Sequence, residues 1–119
     1  MSVDEPYKSR SHLVELAVSY FKKEGYKVNS ENIVLEGHSG VARHFDLIVQ
    51  KGRLEQGVWV RDWNRTIGVN VIINLDTASE DVDLSSPIMI AEKFSDHAKS
   101  YSNRRKINLL TKQKIGSFR

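Results

Sequence analysis

Helix-like and strand-like patterns alternate along the chain, and their order limits the fold more than any single motif does. Apolar residues at helical spacing, from Leu13 to Phe21, predict a first helix over about residues 10–24. The segments NIVLEG, VARHFDLIVQ and GVWVRD predict three strands, with a turn at QKGR, where Gly52 tolerates a positive φ. The last two strands are expected to form a hairpin.

The second half of the chain continues the alternation with shorter elements. Ile67, Val71 and Leu75 lie four residues apart and predict a second helix within RTIGVNVIINLDTA, despite its β-branched residues. The acidic stretch SEDVDLSS is interpreted as a loop, IMIA as a short buried strand, and Ser95 as the N-cap of a helix that runs through Tyr101. INLLT is a last strand. This order predicts an α/β sandwich with a mixed central sheet.

Length and composition exclude several classes of function. With 119 residues, 39% of them hydrophobic and 28% charged, the chain is expected to fold as a single domain over residues 1–119. The absence of cysteine excludes disulfides, thiolate catalysis and cysteine-based zinc sites. No apolar run approaches the roughly 20 residues that span a bilayer, and the N-terminus lacks a signal peptide's apolar core. We therefore expect a cytoplasmic protein that does not contact membranes.

Basic residues are concentrated near the C-terminus. The net charge is +3, but residues 101–119 carry six basic and no acidic side chains, whereas the other hundred residues carry 12 basic and 15 acidic ones. Such asymmetry is typical of a surface that binds a polyanion, although a solvated basic face without a partner shows the same pattern. Nucleic acid is the partner that this charge distribution favours.

The end of the third predicted strand combines two tryptophans with charged residues. In GVWVRDWNR, Trp59 and Trp63 flank Arg61 and Asp62, and Arg65 follows. Strand ends on a rigid scaffold often carry binding or catalytic residues. Indole rings near arginines stack nucleic-acid bases, and they also fill hydrophobic cores, so both interpretations of the tryptophans stay open.

The ordered set of segments resembles a known fold. The chain resembles the restriction-endonuclease-like, or PD-(D/E)XK, nuclease fold. The resemblance rests on an ordered set of segments: a leading helix with a glutamate, the exit KEGYKV, the strand GHSGVARHFDLIV with one aspartate, a hairpin strand, a helix, and then PIMIAEKFSDHAKSY and INLLT. Within it, the chain most resembles the Mrr-type restriction endonucleases and the archaeal Holliday-junction resolvases. The resemblance extends over about residues 11–111, with a basic segment at 101–119, and implies a three-layer sandwich around a mixed sheet.

The resemblance also implies a metal site. Family members place an acid on the first helix, an aspartate on the second strand and an acid-x-lysine pair on the third, around one or two Mg²⁺ ions that activate water against a phosphodiester. Glu15 matches the helix acid and Asp46 the strand aspartate, which makes both candidate catalytic residues and metal ligands. The third strand departs from the pattern, because Trp59 occupies the acid position and Arg61 the lysine position.

These two departures weaken the expected metal chemistry. Mg²⁺ prefers oxygen ligands, and an indole offers only an N–H donor. The guanidinium of Arg61 stays protonated, so it can stabilise phosphate charge but cannot act as a base. Asp62 replaces the missing acid only if a bulge turns it to the face of Trp59, because neighbouring residues on a strand point to opposite faces. We expect no cofactor if the site is degenerate and Mg²⁺ if it is active.

Two candidate residues have a second interpretation. His44 and Asp46 lie two residues apart on one predicted strand, so they are expected to share a face, either as half of a metal site or as a hydrogen-bonded pair in a cleft. Glu15 is alternatively an ordinary solvent-exposed acid on the polar side of its helix.

Together these features predict a DNA-binding protein of nuclease fold whose metal-dependent cleavage is lost or weakened. The residues expected to contact phosphates or line the cleft are Arg43, His44, Arg61, Arg65, Lys93, Arg104, Arg105 and Lys106. One alternative is an active Mg²⁺-dependent endonuclease that uses Glu15, Asp46 and Asp62. Another is a scaffold subunit that binds a second protein through the acidic loop near Asp81. A homodimer is also considered, since a two-fold axis doubles the basic face.

Overall fold

Helices and strands alternate in the computed structural model, which describes residues 11–62 and 64–116. In chain order the elements are α1 (His12–Lys23), β1 (Lys27–Glu36), β2 (Ala42–Lys51), β3 (Leu54–Val60), β4 (Thr66–Ile67), α2 (Val69–Asp81), β5 (Ile88–Ala91), β6 (Lys93–Phe94), α3 (Asp96–Arg105), β7 (Asn108–Thr111) and α4 (Lys112–Gly116). Among these described residues, no helix has the length and apolar character needed to cross a bilayer.

A five-stranded mixed sheet forms the middle layer of the fold. Its strand order is β1-β2-β3-β5-β7, and β4 and β6 pair in a separate two-stranded sheet. β1, β2 and β3 are antiparallel neighbours, whereas β3, β5 and β7 run parallel. Helices α1 and α4 cover one face of the sheet, and α2 and α3 cover the other. The predicted three-layer α/β sandwich with a mixed central sheet is confirmed.

Each face of the sheet has its own hydrophobic core. The core under α1 and α4 is built from Leu13, Ala17, Val18, Phe21, Leu47, Val49, Val58, Val60, Ile88, Ile90 and Ile115. The core under α2 and α3 includes Phe45, Ile48, Ile72, Leu75, Ala78, Met89 and Ala98. β3 and β5 contribute to both cores, so successive residues of these strands are buried on opposite faces of the sheet. This explains why every residue of IMIA is apolar.

Local signals set where several elements begin and end. The hydroxyl of Ser11 accepts a hydrogen bond from the Val14 amide at the start of α1, and Ser95 does the same for Ala98 at the start of α3. Gly52 has φ +64° in the turn between β2 and β3, a conformation that other residues rarely adopt. The predicted first helix, the turn at Gly52 and the Ser95 cap are confirmed.

The second and third helices differ from their predicted bounds. Thr66 and Ile67 were predicted to be helical, but they form β4 and pair with β6, and α2 begins only at Val69. Both residues are β-branched, and such residues favour strands. The helix then continues to Asp81, into the stretch that was predicted to be an acidic loop. α3 runs four residues past Tyr101. The two-residue strands and α4 were not predicted, since such short elements leave no periodicity in the sequence.

Candidate functional site

Strand β2 changes orientation at Asp46. Phe45 lies in the core under α2 and α3, whereas Leu47 lies in the core under α1 and α4. Residues two apart on a regular strand share a face, so the backbone of β2 is distorted between these two positions. In the antiparallel register, Asn32 of β1 stands opposite Asp46 and has φ +49°. The distortion therefore involves both strands at the position of the candidate aspartate.

The carboxylate of Asp46 is bound inside the protein. Its Oδ2 accepts a hydrogen bond of 2.7 Å from the backbone amide of Val60. Backbone pairing between β2 and β3 ends at Leu47 and Val58, so the carboxylate supplies an acceptor that the strand pairing no longer provides. Nη1 of Arg61 lies 3.7 Å from the same oxygen. Asp46 thus fastens the end of β3 to β2.

Trp59 and Arg61 pack on each other at the end of β3. Cζ of Arg61 lies 4.6 Å from the ring centroid of Trp59, within the range of a cation–π contact. Nε1 of Trp59 donates a 2.8 Å hydrogen bond to the carbonyl of His44, which ties the indole to β2. Burial lowers the pKa of the Arg61 guanidinium, and Asp46 acts in the opposite direction. Since arginine stays protonated in proteins, the pair presents a cation on an aromatic surface.

A cavity of about 360 Å³ lies beside this pair, between the start of β2, the end of β3 and helix α2. Its lining residues are Ala42, Arg43, His44, Trp59, Arg61, Asn74, Thr77 and Ala78. The fold therefore brings together four residues that the sequence suggested separately: Arg43, His44, Trp59 and Arg61. Asn74 and Thr77 were not suggested, because polar residues on an amphipathic helix carry no signal that distinguishes a site from solvent.

Asp81, the last residue of α2, holds the turn between β1 and β2. Its carboxylate accepts hydrogen bonds from the Ser39 hydroxyl (2.7 Å), the Ser39 amide (2.9 Å) and Nε of Arg43 (2.9 Å). The bonds from Ser39, and then that from Arg43, lower the pKa of Asp81 to about 2. Its side chain is only 11% exposed. Asp81 is thus turned into the fold, at the end of a helix and not in the predicted acidic loop.

Two histidines have partners that the sequence did not indicate. Nε2 of His44 lies 2.7 Å from Oδ1 of Asn32, so its partner in the structure is an asparagine of β1 and not the expected Asp46. Nε2 of His38 lies 2.7 Å from Oδ2 of Asp83, and the hydrogen bond to this carboxylate raises the pKa of His38. Both partners are distant in sequence, which is why spacing gave no sign of them.

The three carboxylates that the sequence suggested as metal ligands do not converge in the structure. No group of three or more His, Cys, Asp or Glu side chains converges among the described residues. Glu15 is exposed on the first turn of α1, and Oδ2 of Asp46 is occupied by an amide with a guanidinium nearby. Asp62 is turned to Lys112, with 2.8 Å between its Oδ1 and Nζ. Because Mg²⁺ needs several oxygen ligands, the expected ligand set of Glu15, Asp46 and Asp62 is not assembled in this part of the chain.

The predicted phosphate contacts fall into two sets. The first set, called the cleft set, consists of Arg43, His44 and Arg61, which line the cavity, and of Arg65 and Lys93, which do not line it but adjoin the β4–β6 pairing, where Thr66 is opposite Lys93. The α3 set consists of Arg104, Arg105 and Lys106, at the end of α3 and just before β7. β3 and β7 are parallel, and Arg61 follows β3 whereas Lys106 precedes β7. The two sets therefore lie at opposite ends of the strands of the central sheet.

The α3 set is partly neutralised. Arg105 donates to Oδ2 of the buried Asp76 at 2.9 Å and to Oε2 of Glu80 at 3.0 Å. Cζ of Arg104 lies 6.0 Å from the ring centroid of Tyr101. Farther along the basic segment, Lys112 pairs with Asp62 and Glu92. Residues 117–119 and Trp63, a candidate for base stacking, lie outside the described residues.

The fold and site define a three-layer α/β protein with a cavity that Arg43, His44 and Arg61 help to line. No protein-family model matches the sequence, and neither does any curated protein. The fold is similar to the crystal structure of a protein of unknown function, AF1548, with a TM-score of 0.75 and 15% identity over 83% of this chain and 57% of that one. It is also similar to EndoMS in complex with double-stranded DNA, with a TM-score of 0.52 and 10% identity over 91% of this chain and 48% of that one.

This chain spans about half the length of each of these two structures. At such low identity, the likeness concerns the fold. It agrees with the three-layer sandwich and supports the nuclease-like architecture that the sequence suggested. The narrower resemblance to Mrr-type endonucleases and junction resolvases stays a prediction.

Proposed function

We propose that the protein binds DNA through the cleft set and does not cleave it with a bound metal. The observation that carries this proposal is the contact between Trp59 and Arg61. The resemblance aligns these two residues with the acid and the lysine of the family. A guanidinium on an indole offers a phosphate a positive charge and offers a base a flat surface, but it offers a metal no ligand.

The state of Asp46 supports the same proposal. Oδ2 of Asp46 accepts from the Val60 amide and faces the guanidinium of Arg61, so its negative charge is already compensated by groups of the protein. The surrounding cations of the cleft set attract a polyanion. EndoMS, which shares the architecture, is bound to double-stranded DNA in its structure, and this favours DNA over other polyanions.

The narrower family assignment belongs to this proposal. Glu15 on α1, Asp46 on β2, and Trp59 and Arg61 on β3 follow the order of the PD-(D/E)XK motif, with the third-strand positions changed. The protein would be a member of that family, close to the Mrr-type enzymes and resolvases, that keeps the architecture as a DNA-binding module. A cytoplasmic location and a homodimer are part of the same proposal.

Salt-dependent binding tests the placement of the interface. Each phosphate contact contributes about −0.9 to the slope of log affinity against log salt concentration. Replacing Arg61 and Arg65 with alanine is expected to flatten this slope by nearly two units for a fluorescent duplex measured by anisotropy. The matched variant replaces Arg104 and Lys106, two cations of the α3 set, and is expected to leave the slope nearly unchanged. If the slope changes only in the matched variant, the interface lies at the α3 set. If wild type does not bind DNA at low salt, DNA binding itself is refuted.

A cleavage assay tests the loss of activity. Wild type, incubated with Mg²⁺ or Mn²⁺ and with duplex, junction or single-stranded DNA, is expected to leave the strands intact. The control is Asp46→Asn, which keeps an oxygen acceptor for Val60 but removes the charge that a metal needs. If wild type cuts DNA and Asp46→Asn does not, the active endonuclease replaces our proposal.

A further inference from the structure

One part of the lining of the cavity beside Trp59 consists of polar side chains of α2. Asn74 and Thr77 lie about one turn apart on α2 and line the cavity from exposed positions. Neither side chain forms a hydrogen bond within the part of the chain that the structure describes. An asparagine amide provides a donor and an acceptor side by side, and a threonine hydroxyl provides both, so this wall can pair with the edge of a heterocyclic base.

Another part of the lining is suited to the face of a base. Arg61 lies over the ring of Trp59, and bases stack on aromatic rings and on guanidinium planes. Two small residues, Ala42 and Ala78, form other parts of the lining and leave the space between the walls open. At about 360 Å³, the cavity lies near the small end of the roughly 300–1,000 Å³ range of ligand pockets. It suits one nucleotide and not a stacked pair.

We propose that this cavity accepts a single unpaired nucleotide of a DNA strand, with its base against the Trp59–Arg61 pair and its edge toward Asn74 and Thr77. This inference rests on the proposed DNA-binding function and specifies its substrate. A base inside an intact duplex must first be unstacked and unpaired, whereas a base in a bulge is already available. The protein therefore prefers DNA that contains an unpaired nucleotide over uninterrupted duplex.

Three DNA molecules of one sequence test the preference. The first is a perfect duplex, the second carries one extra unpaired nucleotide, and the third carries an abasic residue at the same bulge. The abasic bulge bends the duplex in a similar way but offers no base. We expect the bulged DNA to bind about tenfold more tightly than either of the others, which is the scale of one base stacked on an aromatic side chain.

Variants of the cavity wall test the location. Asn74→Ala is expected to lower the affinity for the bulged DNA and not that for the abasic bulge, whereas Ala42→Phe is expected to abolish the preference by filling the space. The matched control is Asn70→Ala, the same exchange one turn earlier on the exposed surface of α2 and outside the cavity lining. It is expected to keep the full preference. If Ala42→Phe does not fold by circular dichroism, Asn74→Ala and Thr77→Ala still decide the question, because alanine favours helix.

The outcomes separate this inference from the function on which it rests. Equal affinity of wild type for all three DNA molecules would overturn the nucleotide site but leave DNA binding intact. An equal loss of preference in Asn70→Ala and Asn74→Ala would also overturn it. A wild type that binds none of the three at low salt would overturn the DNA-binding function itself.

Discussion

Replacing Asp46 with alanine should destabilise the protein, because its carboxylate is an internal hydrogen-bond acceptor. The amide of Val60 is part of a residue that is only 8% exposed, so it loses its acceptor without full access to water. An unsatisfied buried donor costs about 1–3 kcal/mol, and a bond to a charged acceptor contributes about 1.5–3 kcal/mol. The Arg61–Asp46 contact, at 3.7 Å between partly exposed groups, adds less than about 1 kcal/mol. We expect a loss of about 2–3 kcal/mol.

Two further variants separate the hydrogen bond from the charge. Asp46→Asn keeps an oxygen that can accept from Val60, so it should lose only about 1 kcal/mol. Asp62→Ala removes an aspartate whose ion pair with Lys112 is solvent-exposed, and it should lose less than about 1 kcal/mol. Urea unfolding followed by far-ultraviolet circular dichroism measures all three free energies of unfolding, and an unchanged m-value shows that the comparison is valid.

The sign of the effect distinguishes the two roles of Asp46. A carboxylate without a hydrogen-bond partner in the protein stabilises the metal-free fold little, so its removal leaves that fold as stable as before or more stable. An Asp46→Ala variant as stable as wild type would refute our account of the site. So would a rise in the urea midpoint of wild type with MgCl₂ beyond that caused by NaCl at equal ionic strength, since binding to the folded state stabilises it.

Three other predictions concern the same region. Gly37→Ala should destabilise the protein by about 2 kcal/mol in urea unfolding, because the added Cβ would lie 1.9 Å from Oδ2 of Asp81 and force the turn away. The pKa of Asp81 is lowered from 3.8 to about 2. The ionised carboxylate therefore stabilises the fold fully above about pH 4, and this stabilisation is lost as the pH falls through 2. Asp81→Asn should flatten the dependence of the urea midpoint on pH in this window. Trp59→Glu with Arg61→Lys should introduce Mn²⁺ binding detectable by calorimetry, but with a loss of about 3 kcal/mol in stability from the missing indole.

Part of the candidate site followed from the sequence. Alternation along a strand predicts that Trp59 and Arg61 share a side and that Asp62 points away, and the structure shows the first two in contact and the third paired with Lys112. The position of Asp46 beside Arg61 was implied by the resemblance, but its bond to Val60 was not. That bond depends on where the pairing of β2 and β3 stops, which no local pattern records.

The sequence by itself determined the elements whose signals are local. Helical spacing, the Ser95 cap and the glycine turn at Gly52 act within a few residues, so they specify the order of helices and strands and hence the three-layer sandwich. Only the tertiary structure decided the site. Ser39 and Arg43 meet Asp81 about 40 residues farther along the chain, and the cavity exists because α2 packs across the ends of β2 and β3. Such contacts arise because the apolar faces of helices and strands are buried against one another, and this burial fixes how the elements pack. The periodicity within one element does not tell which other element covers its apolar face.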